Sequence, residues 1–216
     1  MLITGFVSSP ASAASSQTDV LGEARDFFES YGLSEETIDS LEHKLATEGT
    51  LHSMDGSDPV DVQVTETATA TVTLETFEDG SIRVSSVDKP LEAGEDDGIF
   101  MPMAISQCQG RSGSGYVSQS NCLAFSSNGV TSMRFRFDYS HSNGGPSSIS
   151  SGHSAASSST YGSITTPVRS SWRQHSSSVQ NAVLTYRSVY TGPMSTETWY
   201  LSVYLPQGKT PYTSSH

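Results

Sequence analysis

The side chains best suited to chemistry in the second half of this 216-residue chain are arginines and tyrosines set at strand spacing. In MRFRFDY, residues 133–139, Arg134 and Arg136 alternate with Met133, Phe135, Phe137 and Tyr139; in WYLSVYL, residues 199–205, Tyr200 and Tyr204 alternate with Trp199, Leu201, Val203 and Leu205. Successive side chains of a strand point to opposite faces, so a strand that buries its apolar set turns the other set to water. Arg187 takes the same outward place on a third candidate strand. Guanidinium forks and tyrosine rings are what glycans and protein partners stack on and hydrogen-bond to. Arg134, Arg136, Arg187, Tyr200 and Tyr204 are therefore the candidate ligand-binding residues, against the alternative that they only make cross-strand pairs on a wet sheet face.

Other chemistry is poorly supplied. The histidines, at 43, 52, 141, 153, 175 and 216, show no HxH, HxxxH or HExxH spacing, and the sequence assigns no metal site and no cofactor. The acidic groups at 55–61 and 92–98 lack the alternating ligands of a calcium loop and read as solvated charge. GRSGSG at 110–115 is not the G-x-S-x-G elbow of a hydrolase. After Ala104 the carboxylates are Asp138 and Glu197, so a glycosidase confined to that part would have to use both. Asp138 is expected to point outward and to pair with Arg134 or Arg136.

The elements that hold these residues fall into two parts of opposite charge. Through Met103 there are 21 acidic and 4 basic residues, and from Ala104 onward 2 acidic and 7 basic, which makes the parts −17 and +5. So small a positive charge, without clustered lysines, argues against a dedicated nucleic-acid binder. Residues 18–49 carry two apolar stripes at helical spacing. Thr18 and Ser34 serve as caps, Gly32 and Gly49 as stops, and Phe27, Phe28 and Tyr31 as an aromatic face for helix-on-helix packing. Val62 to Phe77 alternates as one strand, with Val62, Val64, Ala68, Ala70, Val72 and Leu74 on the buried side. A three-residue turn, Glu78-Asp79-Gly80, groups Val72, Leu74, Ile82 and Val84, whereas a two-residue turn would split them between faces. Residues 90–103 have linker composition.

Beyond them, Ile105 to Cys108 opens a series of strands, with further candidates at 114–125, 147–156, 168–176 and 181–190 beside the two above. That density suits an antiparallel sandwich, in which the serine-rich stretch 153–160 belongs at an edge. The fold expected is α+β: a signal-peptide remnant at 1–13, an acidic helical hairpin at 14–55, a β-hairpin at 56–89, an acidic linker at 90–103 and an antiparallel β-sandwich at 104–216.

The chain's start is read as export. LITGFVSS leads to Pro10 and to the small-x-small triplet Ala11-Ser12-Ala13, with a start codon placed downstream of a basic region. Cys108 and Cys122 then read as a disulfide, closing a 15-residue loop worth about 3 kcal/mol on the chain-entropy model. No stretch approaches the roughly 18 apolar residues of a membrane span. The cleavage site, FFESYGLSEETIDSLEHKLATEG, HSMDGSDPV, FEDGSI, MPMAIS and the two-cysteine β-part together resemble a group of uncharacterised secreted proteins of actinobacteria over nearly the whole chain. The resemblance implies export and the two-part layout and carries over no activity and no functional residues.

Three functions fit these readings. One is a secreted, non-catalytic binding or surface-associated protein that meets a cell-wall glycan or an extracellular protein through the outer face of its β-domain. The second is a precursor in which residues 14–103 mask a β-domain effector. The third is an extracellular hydrolase.

Overall fold

Two helices precede twelve strands among the described residues, 15–89 and 108–216, of the computed structural model. The expected cleavage site, the linker and all of the expected strand Ile105–Cys108 except Cys108 lie outside them; Cys108 itself is in no strand and directly precedes one that begins at Gln109. Helix α1 spans Ser15–Ser30 and α2 spans Glu35–Glu48. As the sequence predicts, the Ser34 hydroxyl accepts from the Thr37 N–H at 3.3 Å, and Gly49, at φ 77°, ends α2 by donating to the Leu45 carbonyl. Thr18 is not the cap of α1, which begins three residues earlier. Ser15, Ser16 and Thr18 are all cap-type residues, and a stripe that starts at Val20 does not choose among them.

The alternating run from Val62 is two strands, not one: β1, Asp61–Glu66, and β2, Ala70–Thr76. The Thr67 hydroxyl makes the reversal by accepting from the Ala70 N–H at 2.9 Å and donating to the Ala70 carbonyl at 2.9 Å. This hydroxyl turn needs no Gly, Pro, Asn or Asp, so composition did not announce it. Because Val64 pairs with Thr73 and Gln63 with Leu74, Val62 and Val64 lie on the face opposite Leu74, and both are exposed. Strand β3, Ile82–Asp88, follows the three-residue turn the register requires, with Leu74 opposite Val84 and Gly80 at φ 82°.

Strand β3 then pairs with β5, Tyr116–Ser127, which carries the first three strands into the main sheet. With β4, Gln109–Gly113, β6, Thr131–Ser142, and β7, Ser148–Ser159, they form a seven-stranded antiparallel sheet in the order β1-β2-β3-β5-β6-β7, with β4 also on β5. Serine-rich β7 takes the edge. The second sheet, in the order β12-β11-β10-β8 with β9 also on β10, consists of β8, Ser163–Ile164, β9, Val168–Arg173, β10, Ala182–Thr191, β11, Thr196–Leu205, and β12, Tyr212–Ser215.

The two sheets close on one core, with Met133, Phe135, Phe137 and Tyr139 from β6 facing Leu184, Tyr186, Trp199, Leu201 and Val203. Along one side they join into a half-barrel, where Trp172 Nε1 donates to the Ile149 carbonyl and the Ile149 N–H donates to the Gln174 carbonyl. Toward the other side, the hydroxyls of Ser85, Ser126 and Ser215 form a buried triangle with sides of 2.9–3.1 Å that links the sheets. Cys108 and Cys122 are joined in a buried disulfide across the β4–β5 hairpin.

The helices cap one end of the sandwich rather than only each other. Ala24, Phe28, Ile38, Leu41 and Leu45 share a second core with Ile82, Val130, Tyr161 and Tyr190, while Tyr31 stays exposed. Phe27 packs on Gly129, where a Cβ would sit 2.6 Å from the ring at a φ of 86°. The polar anchor of this joint is Asp79. Burial pushes its carboxyl pKa upward. Hydrogen bonds from the His52 N–H at 2.9 Å, Lys44 Nζ at 2.8 Å, and the Ser81 hydroxyl and N–H at 2.6 and 3.0 Å outweigh burial and hold it at about 2. An aspartate depressed in the fold stabilises it above its unfolded pKa, and that contribution fades as pH falls through the folded value.

Asp79→Asn is therefore expected to lose about 2 kcal/mol at pH 7 and to flatten the stability-versus-pH curve between about pH 4 and 2, read by urea unfolding at a series of pH values. A chain cut at a protease site engineered between residues 90 and 107 is expected to elute as one complex in native buffer and as two pieces on a denaturing gel, because β3 stays paired to β5.

Candidate functional site

Strands β10 and β11 pair without interruption from Ala182 opposite Leu205 to Thr191 opposite Thr196. This register turns Leu184, Tyr186, Leu201 and Val203 into the core and sends the intervening positions to the outer face of the second sheet. With β9 and β12 added, three cross-strand rows stand there. The first is Val168, Arg187, Tyr200 and His216; the second is Ser171, Thr185, Ser202 and Ser214; the third is Arg173, Val183, Tyr204 and Tyr212. A middle row of hydroxyl side chains between two taller rows is a trough that runs across the strands. Its outer rows are about 13 Å apart along the strand direction, four residues at roughly 3.3 Å each.

The trough has a volume of about 600 Å³ and is lined by Arg187, Tyr200, Tyr204 and His216, by Val168 to Ser171 of β9, and by Thr185 and Ser202. Its floor is built by Thr185 and Ser202, whose hydroxyls meet at 2.9 Å beneath their neighbours. The aromatic rings are held in place by stacking: Tyr200 on His216 at 5.0 Å and 21°, and Tyr204 on Tyr212 at 5.3 Å and 14°. Between Thr185 and Tyr186 the pairing with β9 shifts by one residue, which brings both Ser170 and Ser171 against the floor. Arg169, opposite Tyr186, turns its guanidinium to the other side of β9, 4.6 Å over the Trp172 ring. No Asp or Glu lines the trough.

The structure brings together three of the five expected residues, Arg187, Tyr200 and Tyr204, and separates the other two. Arg134 and Arg136 lie on the outer face of the other sheet, because β6 belongs to the seven-stranded sheet and buries Met133, Phe135 and Phe137 from the opposite side of the core. Alternation told which way each side chain points within its strand but not which strands share a sheet. The expected ion pair of Asp138 is also replaced. Its carboxylate accepts from the Asn121 N–H at 2.8 Å and the Ser151 hydroxyl at 2.7 Å, while Arg136 donates to the Asn121 carbonyl at 2.8 Å. Asn121, at φ 61°, sits in a bulge of β5 that turns its backbone toward both side chains.

Arg169, Thr185, Ser202 and His216 escaped the sequence reading. Ser202 stands outward between Tyr200 and Tyr204, and Thr185 two residues from Arg187, a signal that was present but unspecific in so serine-rich a chain; His216 enters only through pairing with Tyr200. Asp138 and Glu197 lie in different sheets, with Glu197 opposite Tyr190. Among the described residues no three His, Cys, Asp or Glu side chains are grouped to hold a metal, and no helix is long and apolar enough to cross a membrane. Burial pushes Tyr139 and Tyr190 up to about 12, so the most perturbed tyrosines belong to the core.

Since the two faces share no partner, Arg136→Ala and Tyr200→Ala are expected to add in stability to within about 0.5 kcal/mol, whereas Thr185→Ala and Ser202→Ala are expected to couple by more than that, measured by double-mutant cycles in urea.

No family model, no curated protein and no solved structure matches the chain.

Proposed function

We propose that this is a secreted, non-catalytic binding protein that holds a cell-wall or other extracellular glycan in the trough of its second sheet. The observation that carries the reading is the hydroxyl floor between two braced rows of Arg, Tyr and His side chains. The polar groups of the trough converge on rigid strands, and its volume lies within the range of small-ligand sites. Stacking occupies one face of each aromatic ring and holds the rings in place, and the walls offer phenol hydroxyls and a guanidinium fork beside them. Export is supported by the small-residue cleavage pattern and by the disulfide, which persists in oxidising compartments.

The purified protein is expected to co-sediment with isolated cell-wall glycan and with intact cells. Tyr200→Ala combined with Arg187→Ala should abolish this, and Arg136→Ala, on the opposite face, should leave it intact. Retention of binding by the double variant would overturn the assignment to the trough.

The precursor reading is favoured by one observation, the −17 and +5 charges of the two parts. It requires that β3 be parted from β5, along with the serine triangle that joins the sheets. Intact mass of the secreted protein separates the readings: a mature form beginning near residues 98–104 supports the precursor, and an uncleaved chain from Ala14 supports the binding protein.

A further inference from the structure

We infer that the trough takes an internal segment of a uronic-acid polysaccharide, a ligand class that rests on the glycan-binding reading and sharpens it. The first ground is the distribution of ion pairs. In the described part before the linker, Arg25, Lys44, Arg83 and Lys89 each meet a carboxylate. Beyond it, among the described residues, no arginine has one within ion-pair distance, and the Asp138 carboxylate is taken by Asn121 and Ser151. Arg187 is set in the wall of the trough, in the same row as Tyr200, with no Asp or Glu side chain among the lining residues to compete for it. A planar guanidinium in that position suits a carboxylate that can accept both of its parallel N–H groups.

The second ground is the floor. The β9 serines present hydroxyls on the same face as the guanidinium, over the buried Thr185–Ser202 pair, which complements a ring that carries hydroxyls and a carboxylate together. The third is the shape. The floor row ends at Ser171 on one edge strand and Ser214 on the other, so small side chains stand at both mouths and a polymer can pass through without presenting an end.

The test is titration of the full chain with polygalacturonate, dextran, polyglutamate and polyphosphate at about 0.15 M salt. Polygalacturonate is expected to bind, more weakly as salt screens the charge, and dextran, polyglutamate and polyphosphate to bind at least about tenfold less. Arg187→Gln should cost about tenfold in affinity for polygalacturonate. Arg187→Lys should recover only part, since a point charge cannot fork, and Arg136→Gln should change nothing. Oligogalacturonates blocked at both ends should bind as well as open ones of the same length. Equal binding of dextran would overturn the acidic ligand while leaving glycan binding in place. Equal binding of polyglutamate or polyphosphate would reduce the site to bare charge. Failure of every polymer, together with failure to sediment with cell walls, would remove both readings.

Discussion

The pairing of β10 with β11 sets the outer and inner surfaces of the second sheet at once. Ten consecutive residue pairs, from Ala182–Leu205 to Thr191–Thr196, are locked in one register. Because side chains alternate with a period of two, a slip of β11 by one residue would expose Leu201 and Val203 and bury Tyr200, and a slip of β10 would expose Leu184 and bury Arg187. The apolar core thus resists any change that would dismantle the trough, although no trough residue needs to be stabilising itself. Burying those leucines and aromatics is the dominant favourable term, and the alignment of Arg187 with Tyr200 and of Thr185 with Ser202 follows from it. The stacking of Tyr200 on His216 and of Tyr204 on Tyr212 then fixes the wall side chains on a backbone already held in place.

The charge boundary of the sequence is not a boundary of the sheet. Strand β3 comes from the acidic part and pairs with β5 of the basic part. The helices close a second core over Val130, Tyr161 and Tyr190. Nor do the ion pairs cross the boundary: all those among the described residues lie between residues 25 and 89. Apolar packing, backbone pairing and serine hydroxyls join the two parts, with the Ser85–Ser126–Ser215 triangle linking the two sheets. The acidic part satisfies its own cations, and the basic part keeps its arginines facing solvent. A protein assembled in this way can show a mildly positive face to a ligand while its net charge is strongly negative.

Much of the local structure was legible. Ser34 and Gly49 bound α2, Gly80 supports the three-residue turn, the serine-rich β7 takes an edge, and Met133 to Tyr139 and Trp199 to Leu205 bury the sides their alternation predicts. The reversal at Thr67 was not legible, because a hydroxyl that satisfies two backbone groups replaces the glycine or proline that would have marked it. That single turn moves Val62 and Val64 to the opposite face. The binding set was legible residue by residue but not as a set: the alternation that makes Arg136 and Tyr200 both outward cannot tell one outer face from another.

The sequence by itself determined the two long amphipathic strands, the cysteine pair, both ends of α2 and the asymmetry of charge, because these depend on a residue and its near neighbours along the chain. Only the tertiary structure decided which strands share a sheet, and therefore that Arg187, Tyr200 and Tyr204 line one trough with Thr185, Ser202 and His216 while Arg134 and Arg136 stand on the far side of the core. The physical reason is that strand pairing joins residues distant in sequence through backbone groups every residue possesses. Side-chain alternation specifies a face, and only packing of one sheet on the other specifies whose face it is.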